Sequence, residues 1–124
     1  MKKILLIFTV LGIACMIIFN IDFPLNDQSI YGKYLNKNFD NLTCCVEAPH
    51  VADTLILYRN GTFKSKFYSV GTYHIENGIN PEIELHYKEL DKPAIYKTYF
   101  SNKIFRKPRI ILNADLNHYY EKLD

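Results

Sequence analysis

Residues 53–76 read DTLILYRNGTFKSKFYSVGTYHIE, two runs of strand-forming residues on either side of Asn60-Gly61, and no other stretch constrains the fold so strongly. The pattern predicts a β-hairpin. Asn and Gly both tolerate the positive φ that a type I′ turn demands at its two central residues, and the twist of that turn suits paired strands. On the second strand Phe63, Ser65 and Phe67 alternate with Lys64, Lys66 and Tyr68. The first three are therefore expected to face a core and the others water.

Strand signals continue on both sides of this hairpin. Residues 30–35 predict a first strand, residues 36–41 an Asn-rich break, and residues 42–48 a strand or long loop ending at Pro49. Residues 72–76 follow Gly71, with Tyr73 and Ile75 pointing one way. Residues 82–88 alternate most cleanly, with Ile83, Leu85 and Tyr87 inward. Residues 94–101 set Ala94, Tyr96, Thr98 and Phe100 against Ile95, Lys97, Tyr99 and Ser101. Residues 109–113 form a short strand after Pro108, and residues 118–122 a last strand that closes the meander. The expected fold is an all-β antiparallel meander of seven to eight strands, a small barrel or a sandwich, preceded by one N-terminal hydrophobic helix. Its expected inward set is Leu55, Leu57, Phe63, Phe67, Tyr73, Ile75, Ile83, Leu85, Tyr87, Phe100, Ile110 and Leu112.

That helix is the uncharged run of residues 4–19, preceded by Lys2 and Lys3. The two lysines account for the whole excess of 15 Lys and Arg over 13 Asp and Glu, so the remaining domain is neutral. A nucleic-acid partner, which needs a basic face, is not expected; Lys103, Arg106, Lys107 and Arg109 read as a solvated loop. The run alone gives about 24 Å of helix, and its polar continuation brings it to spanning length. Lysines before it and none soon after place the N-terminus in the cytoplasm and the domain on the extracytoplasmic side, periplasm or cell surface. Three fates stay open: an uncleaved anchor, which is favoured, a lipoprotein lipidated at Cys15 through a distorted lipobox, and simple secretion. The expected layout is a membrane segment at 1–21, contacting lipid through residues 4–21, a linker at 22–29 and one β domain at 30–124.

The order of Tyr31-Gly32-Lys33-Tyr34, residues 53–57 running into Asn60-Gly61-Thr62-Phe63, then Gly71-Thr72-Tyr73 and an acidic alternating strand resembles the small lipocalin-like (calycin-like) domains of bacterial lipoproteins and other envelope proteins. It covers roughly residues 30–90, with Tyr34 where lipocalins carry Trp. The resemblance implies a β-barrel, an envelope location and, in larger relatives, ligand binding. About ninety residues rich in Phe and Tyr suit a barrel filled by its own side chains better than one holding a lipid-sized cavity.

Few residues suggest chemistry. Cys44, Cys45 and His50, with Asp53 nearby, gather metal-binding side chains, but adjacent cysteines on an extended chain point to opposite faces. Plain packing of one thiol is the favoured reading, with a disulfide, vicinal or between chains, and a weak metal site as alternatives. His74 and His86 fall on wet faces, with Glu82 and Glu84 beside His86. No nucleophile elbow, catalytic-Cys signature or Gly-rich phosphate loop is present. An enzyme is not expected, and no cofactor is implied. What remains is a membrane-tethered, non-catalytic binding module for another envelope protein, of which an inhibitor or immunity protein is a narrower version. Tyr58, Tyr68 and Tyr99 form its expected interaction surface. The alternative is a lipocalin-like carrier of a small apolar ligand.

Overall fold

A computed structural model describes residues 1–40 and 47–123. The readings made for Cys44 and Cys45 therefore concern residues outside those described. Helix α1 (Lys2–Asn20) is followed by the short helix α2 (Asp27–Ile30) and eight strands: β1 (Gly32–Lys37), β2 (Thr54–Leu57), β3 (Thr62–Lys64), β4 (Val70–Glu76), β5 (Glu82–Glu89), β6 (Lys92–Ser101), β7 (Arg109–Asn113) and β8 (His118–Lys122). Each strand pairs antiparallel with the next, and β8 returns to β1 with Tyr34 opposite Lys122 and Asn36 opposite Tyr120. The sheet is thus a closed up-and-down barrel with no free edge.

Alternation along the strands fills the barrel. Tyr34, Leu55, Leu57, Phe63, Ile83, Leu85, Phe100, Ile110 and Tyr120 are buried to 2% exposure or less. Tyr73, Ile75 and Tyr87 pack half-buried against them. Gly71 is where β4 comes closest: a Cβ there would lie 2.1 Å from the His86 carbonyl and 2.9 Å from the Phe63 ring, so only glycine fits.

Two expectations about the hairpin are corrected. The turn is not type I′: positive φ occurs at Gly61 (78°) and not at Asn60. The Gly61 amide donates to the Tyr58 carbonyl and the Tyr58 amide to that of Thr62, giving a three-residue loop with glycine in the left-handed position. Asn60 Oδ1 instead accepts from the Thr62 amide and hydroxyl. A two-residue turn with both φ positive does occur, at Leu90 (48°) and Asp91 (63°) between β5 and β6, where no glycine or asparagine announces it.

Second, Phe67 faces out and Tyr68 in, at 42% and 1% exposure. Strand β3 ends at Lys64, and residues 65–69 form a turn in which the Ser65 amide donates to the Ser69 carbonyl and Ser69 adopts φ 63°. The turn breaks the two-residue period, so inward and outward positions exchange beyond Ser65.

Residues 22–29, expected as a linker, are bound to the barrel. Asp22 accepts from the Ser101 hydroxyl and the Asn102 amide, and Leu25 is buried with its backbone bonded both ways to the Asn77 side chain. Asn26 and Ser29 cap α2 reciprocally. This delays β1 to Gly32, and the Tyr34 hydroxyl donates back to the Ser29 and Ile30 carbonyls. By contrast α1, about 28 Å of helix, is exposed throughout and is long and apolar enough to cross a membrane.

Candidate functional site

Strand direction sorts the connections between two ends. Residues 21–31, 58–61, 77–81 and 102–108 lie at the end that carries α1, here called proximal. Residues 65–69, 90–91 and 114–117, together with residues 51–53 leading into β2, lie at the distal end. The buried polar groups of the barrel gather toward the distal end.

Asp53, just before β2 and only 4% exposed, is their centre. Its Oδ2 accepts from the Ser65 hydroxyl at 2.7 Å and the Tyr120 hydroxyl at 2.5 Å, and its Oδ1 from the Lys66 amide at 2.9 Å. Ser65 Oγ in turn accepts from the Phe67 and Tyr68 amides at 3.0 and 2.9 Å. One carboxylate thus ties β8 to the 65–69 turn. Burial, with the Asp53 carboxylate second, holds the Tyr120 hydroxyl far above the ordinary phenol range, so it stays a donor.

A second set lies beside it. The Asn36 amide group donates to the Pro49 and Val51 carbonyls, both at 2.8 Å, which leaves its Oδ1 facing His118 Nε2 at 2.9 Å. With the Asn36 NH₂ engaged, the proton of a neutral His118 ring belongs on Nε2. Burial, and then the neighbouring His50 ring 5.6 Å away, lower the His118 pKa, against an opposing contribution from the Pro49 backbone. Ser65 bonds to a carboxylate and His118 to an amide, so neither set joins a hydroxyl to an imidazole, and both are shut from solvent. Their chemistry is that of a brace. Among the described residues every buried side-chain nitrogen and oxygen has a partner.

The brace fixes an aromatic ladder running from core to rim. The Tyr68 ring stacks on Tyr96 at 5.6 Å, meets Tyr87 edge-on at 5.1 Å and Phe67 edge-on at 4.9 Å, while its hydroxyl donates to the Glu47 carbonyl at 2.7 Å. Burial pushes the Tyr96 hydroxyl up to about 12. At the rim Phe67 and Tyr87, with Glu47, Lys88 and Glu89, line a cleft of about 350 Å³. A larger cleft of about 500 Å³ lies outside the barrel wall, against Tyr99, Arg106, Arg109 and Asn113 among others.

The expected interaction surface does not assemble. Tyr68 is in the core for the reason given above, and Tyr58 and Tyr99, both exposed, lie just past the end of β2 and on β6, strands on opposite sides of an eight-strand ring. His50 is half-buried with Nδ1 3.4 Å from the Phe39 carbonyl. Cys15 is a free thiol on the exposed surface of α1. Among the described residues no group of His, Cys, Asp or Glu could hold a metal ion. Glu82, Glu84 and His86 share the outer face as expected, and Lys97 lies over them, 2.7 Å from Glu82 and 3.4 Å from Glu84. The hydrogen bond from His86, ahead of those from Lys97, lowers the Glu84 pKa.

Sequence reasoning missed Asn36, Ser65, His118 and Tyr120 as a working group. A signal existed: Asn36 shares the parity of buried Tyr34, and His118 that of Tyr120. Compared with protein-family models, with curated proteins and with solved structures, the chain matches none.

Proposed function

We propose that this chain is a membrane-tethered, non-catalytic binding module on the extracytoplasmic side, and that its barrel offers the distal rim to another envelope protein. One observation carries the reading. The buried core side chains that fill the barrel, Tyr34, Phe63, Phe100 and Tyr120 among them, are exposed by 9% or less, whereas residues lining a ligand cavity would keep accessible surface toward it. Recognition must then use the outside. The rim is the part of the outside built for it: a turn braced from below by Asp53 presents Phe67 beside Tyr87, with Glu47, Lys88 and Glu89 around them. An aromatic held rigid within a polar border is how protein interfaces concentrate their affinity. Leu90, 92% exposed on the adjacent turn, extends the same end. A tether at the opposite end leaves this rim pointing away from the bilayer, and Lys2 and Lys3 support the extracytoplasmic orientation.

The carrier reading needs an open apolar cavity of at least about 300 Å³. The clefts of that size described above lie at the rim or on the outer wall and are edged by charged side chains. The test is photo-crosslinking of the full chain in its native membrane. A crosslinker at Phe67 or Leu90 is expected to trap the same protein, one at Tyr99 to trap none, and charge reversal at Lys88 or Glu89 to abolish the adduct. Absence of a shared adduct, or stoichiometric uptake of a fatty acid by the purified chain, overturns the proposal.

A further inference from the structure

The proximal end carries a feature that the binding reading does not use. Residues 102–108, between β6 and β7, turn tightly: the Arg106 amide donates to the Lys103 carbonyl, and Phe105 between them adopts φ 59°. An aromatic residue is an uncommon occupant of that conformation. Here it throws the ring outward, to 85% exposure. The loop is anchored from behind, because Asp22 pairs with Lys103 in an isolated bridge and holds the Asn102 amide, while the Phe23 amide donates to the Asn102 carbonyl. The position of Phe105 is thus set by the segment leaving α1, and its ring lies 5.8 Å from that of Phe19 in the last turn of that helix.

Charge completes the pattern. Lys103, Arg106 and Lys107 surround Phe105 in the loop. Arg109 is turned elsewhere, bonded to Glu121 at 2.7 and 2.9 Å and stacked over Tyr119. Asp22, an acid beside the loop, is engaged by Ser101 and Asn102. At the distal end the comparable exposed apolar residue, Leu90, is flanked by Glu89 and Asp91. A basic border around an aromatic residue, level with the end of an apolar helix, matches the headgroup zone of a bilayer, where aromatic rings settle and lysine and arginine meet phosphate.

We propose that residues 102–108 are a second membrane contact: Phe105 enters the headgroup layer beside Phe19 while Lys103 and Arg106 bind the phosphates of anionic phospholipid. The barrel is then seated with its proximal end on the bilayer, and its distal rim is held outward at a fixed height. This rests on α1 being a membrane anchor, and the test separates the two ideas. The chain has no Trp, so Phe105→Trp supplies a single reporter at an exposed position that leaves the core untouched. The full-length variant is reconstituted in phosphatidylcholine vesicles with and without phosphatidylglycerol, and flotation reports the anchor independently. The expected result is a blue-shifted emission, quenched by lipids brominated near the headgroup and more so with phosphatidylglycerol. Lys103→Glu with Arg106→Glu should remove that lipid dependence, and a Leu90→Trp reporter at the far end should stay unquenched. Floating vesicles that carry an unquenched Phe105→Trp reporter, or quenching equal at the two positions, overturn the loop contact and leave the anchor standing. Failure to float overturns both.

Discussion

Tyr120→Phe removes one oxygen from a side chain with no solvent exposure and leaves its ring in place, so packing is nearly conserved and the change isolates a hydrogen bond. The bond is from the Tyr120 hydroxyl to Asp53 Oδ2, which then keeps only the Ser65 hydroxyl. Hydrogen bonds to charged groups contribute about 1.5–3 kcal/mol, and the deserted oxygen belongs to a carboxylate only 4% exposed. A loss of about 2–3 kcal/mol is expected, a large share of the 5–15 kcal/mol typical of a domain. The control is Tyr34→Phe, whose hydroxyl serves two neutral backbone carbonyls near the other end and whose loss is expected at about 1 kcal/mol. Urea denaturation of the full chain in detergent micelles, followed by circular dichroism, measures both, provided the urea slope is unchanged. A cycle with Ser65→Ala should show coupling of about 0.5–3 kcal/mol, since both hydroxyls meet on one oxygen. Equal losses for the two Phe variants, or a Tyr120→Phe loss under about 0.5 kcal/mol, would refute the brace around Asp53.

The exchange of Phe67 and Tyr68 predicts that Tyr68→Ala loses about 3–5 kcal/mol, whereas Phe67→Ala loses about 1 kcal/mol or less in the same titration; the reverse ranking restores unbroken alternation along β3. For the β5 to β6 turn, Leu90→Asn with Asp91→Gly replaces two residues at positive φ by ones that tolerate it, and a gain of about 1 kcal/mol should raise the thermal midpoint by several degrees. An unchanged or lower midpoint would count against that geometry. His118 is held neutral by burial and by the His50 ring, so its folded pKa lies below 6.5 while the unfolded chain protonates near 6.5. The unfolded state then binds more protons, and stability should be full above 6.5 and decline as pH falls through that value toward the lower folded pKa. Thermal midpoints from about pH 7.5 to about 5.5 should show this decline, and His118→Gln should flatten it; a profile identical in the two proteins would remove His118 from the account.

Much of this molecule was legible in the residues alone. Alternation over residues 82–88 and 94–101 needs no partner to interpret, because side chains two apart must share a face; β5 and β6 accordingly bury Ile83, Leu85, Tyr96 and Phe100 as expected. The uncharged run of residues 4–19 likewise announced a helix that buries none of its side chains in the protein. Closure of the barrel was not legible, since it depends on Tyr34 meeting Lys122 across the whole chain, and short-range patterns suit a barrel and a sandwich equally. The exchange at Phe67 and Tyr68 was hidden because Ser65 can continue a strand or bind the amides of its own turn, and it is Asp53, brought in from just before β2, that favours the turn. Residues 22–29 looked like a linker because their polarity is real; Asp22 and Asn26 meet their partners only once β6 and α2 are in place. Chain-local periodicity therefore determined the strands, the apolar helix and most of the core, whereas the tertiary structure decided closure, the buried polar brace and which aromatic faces water, because each of these depends on contacts between segments far apart in sequence.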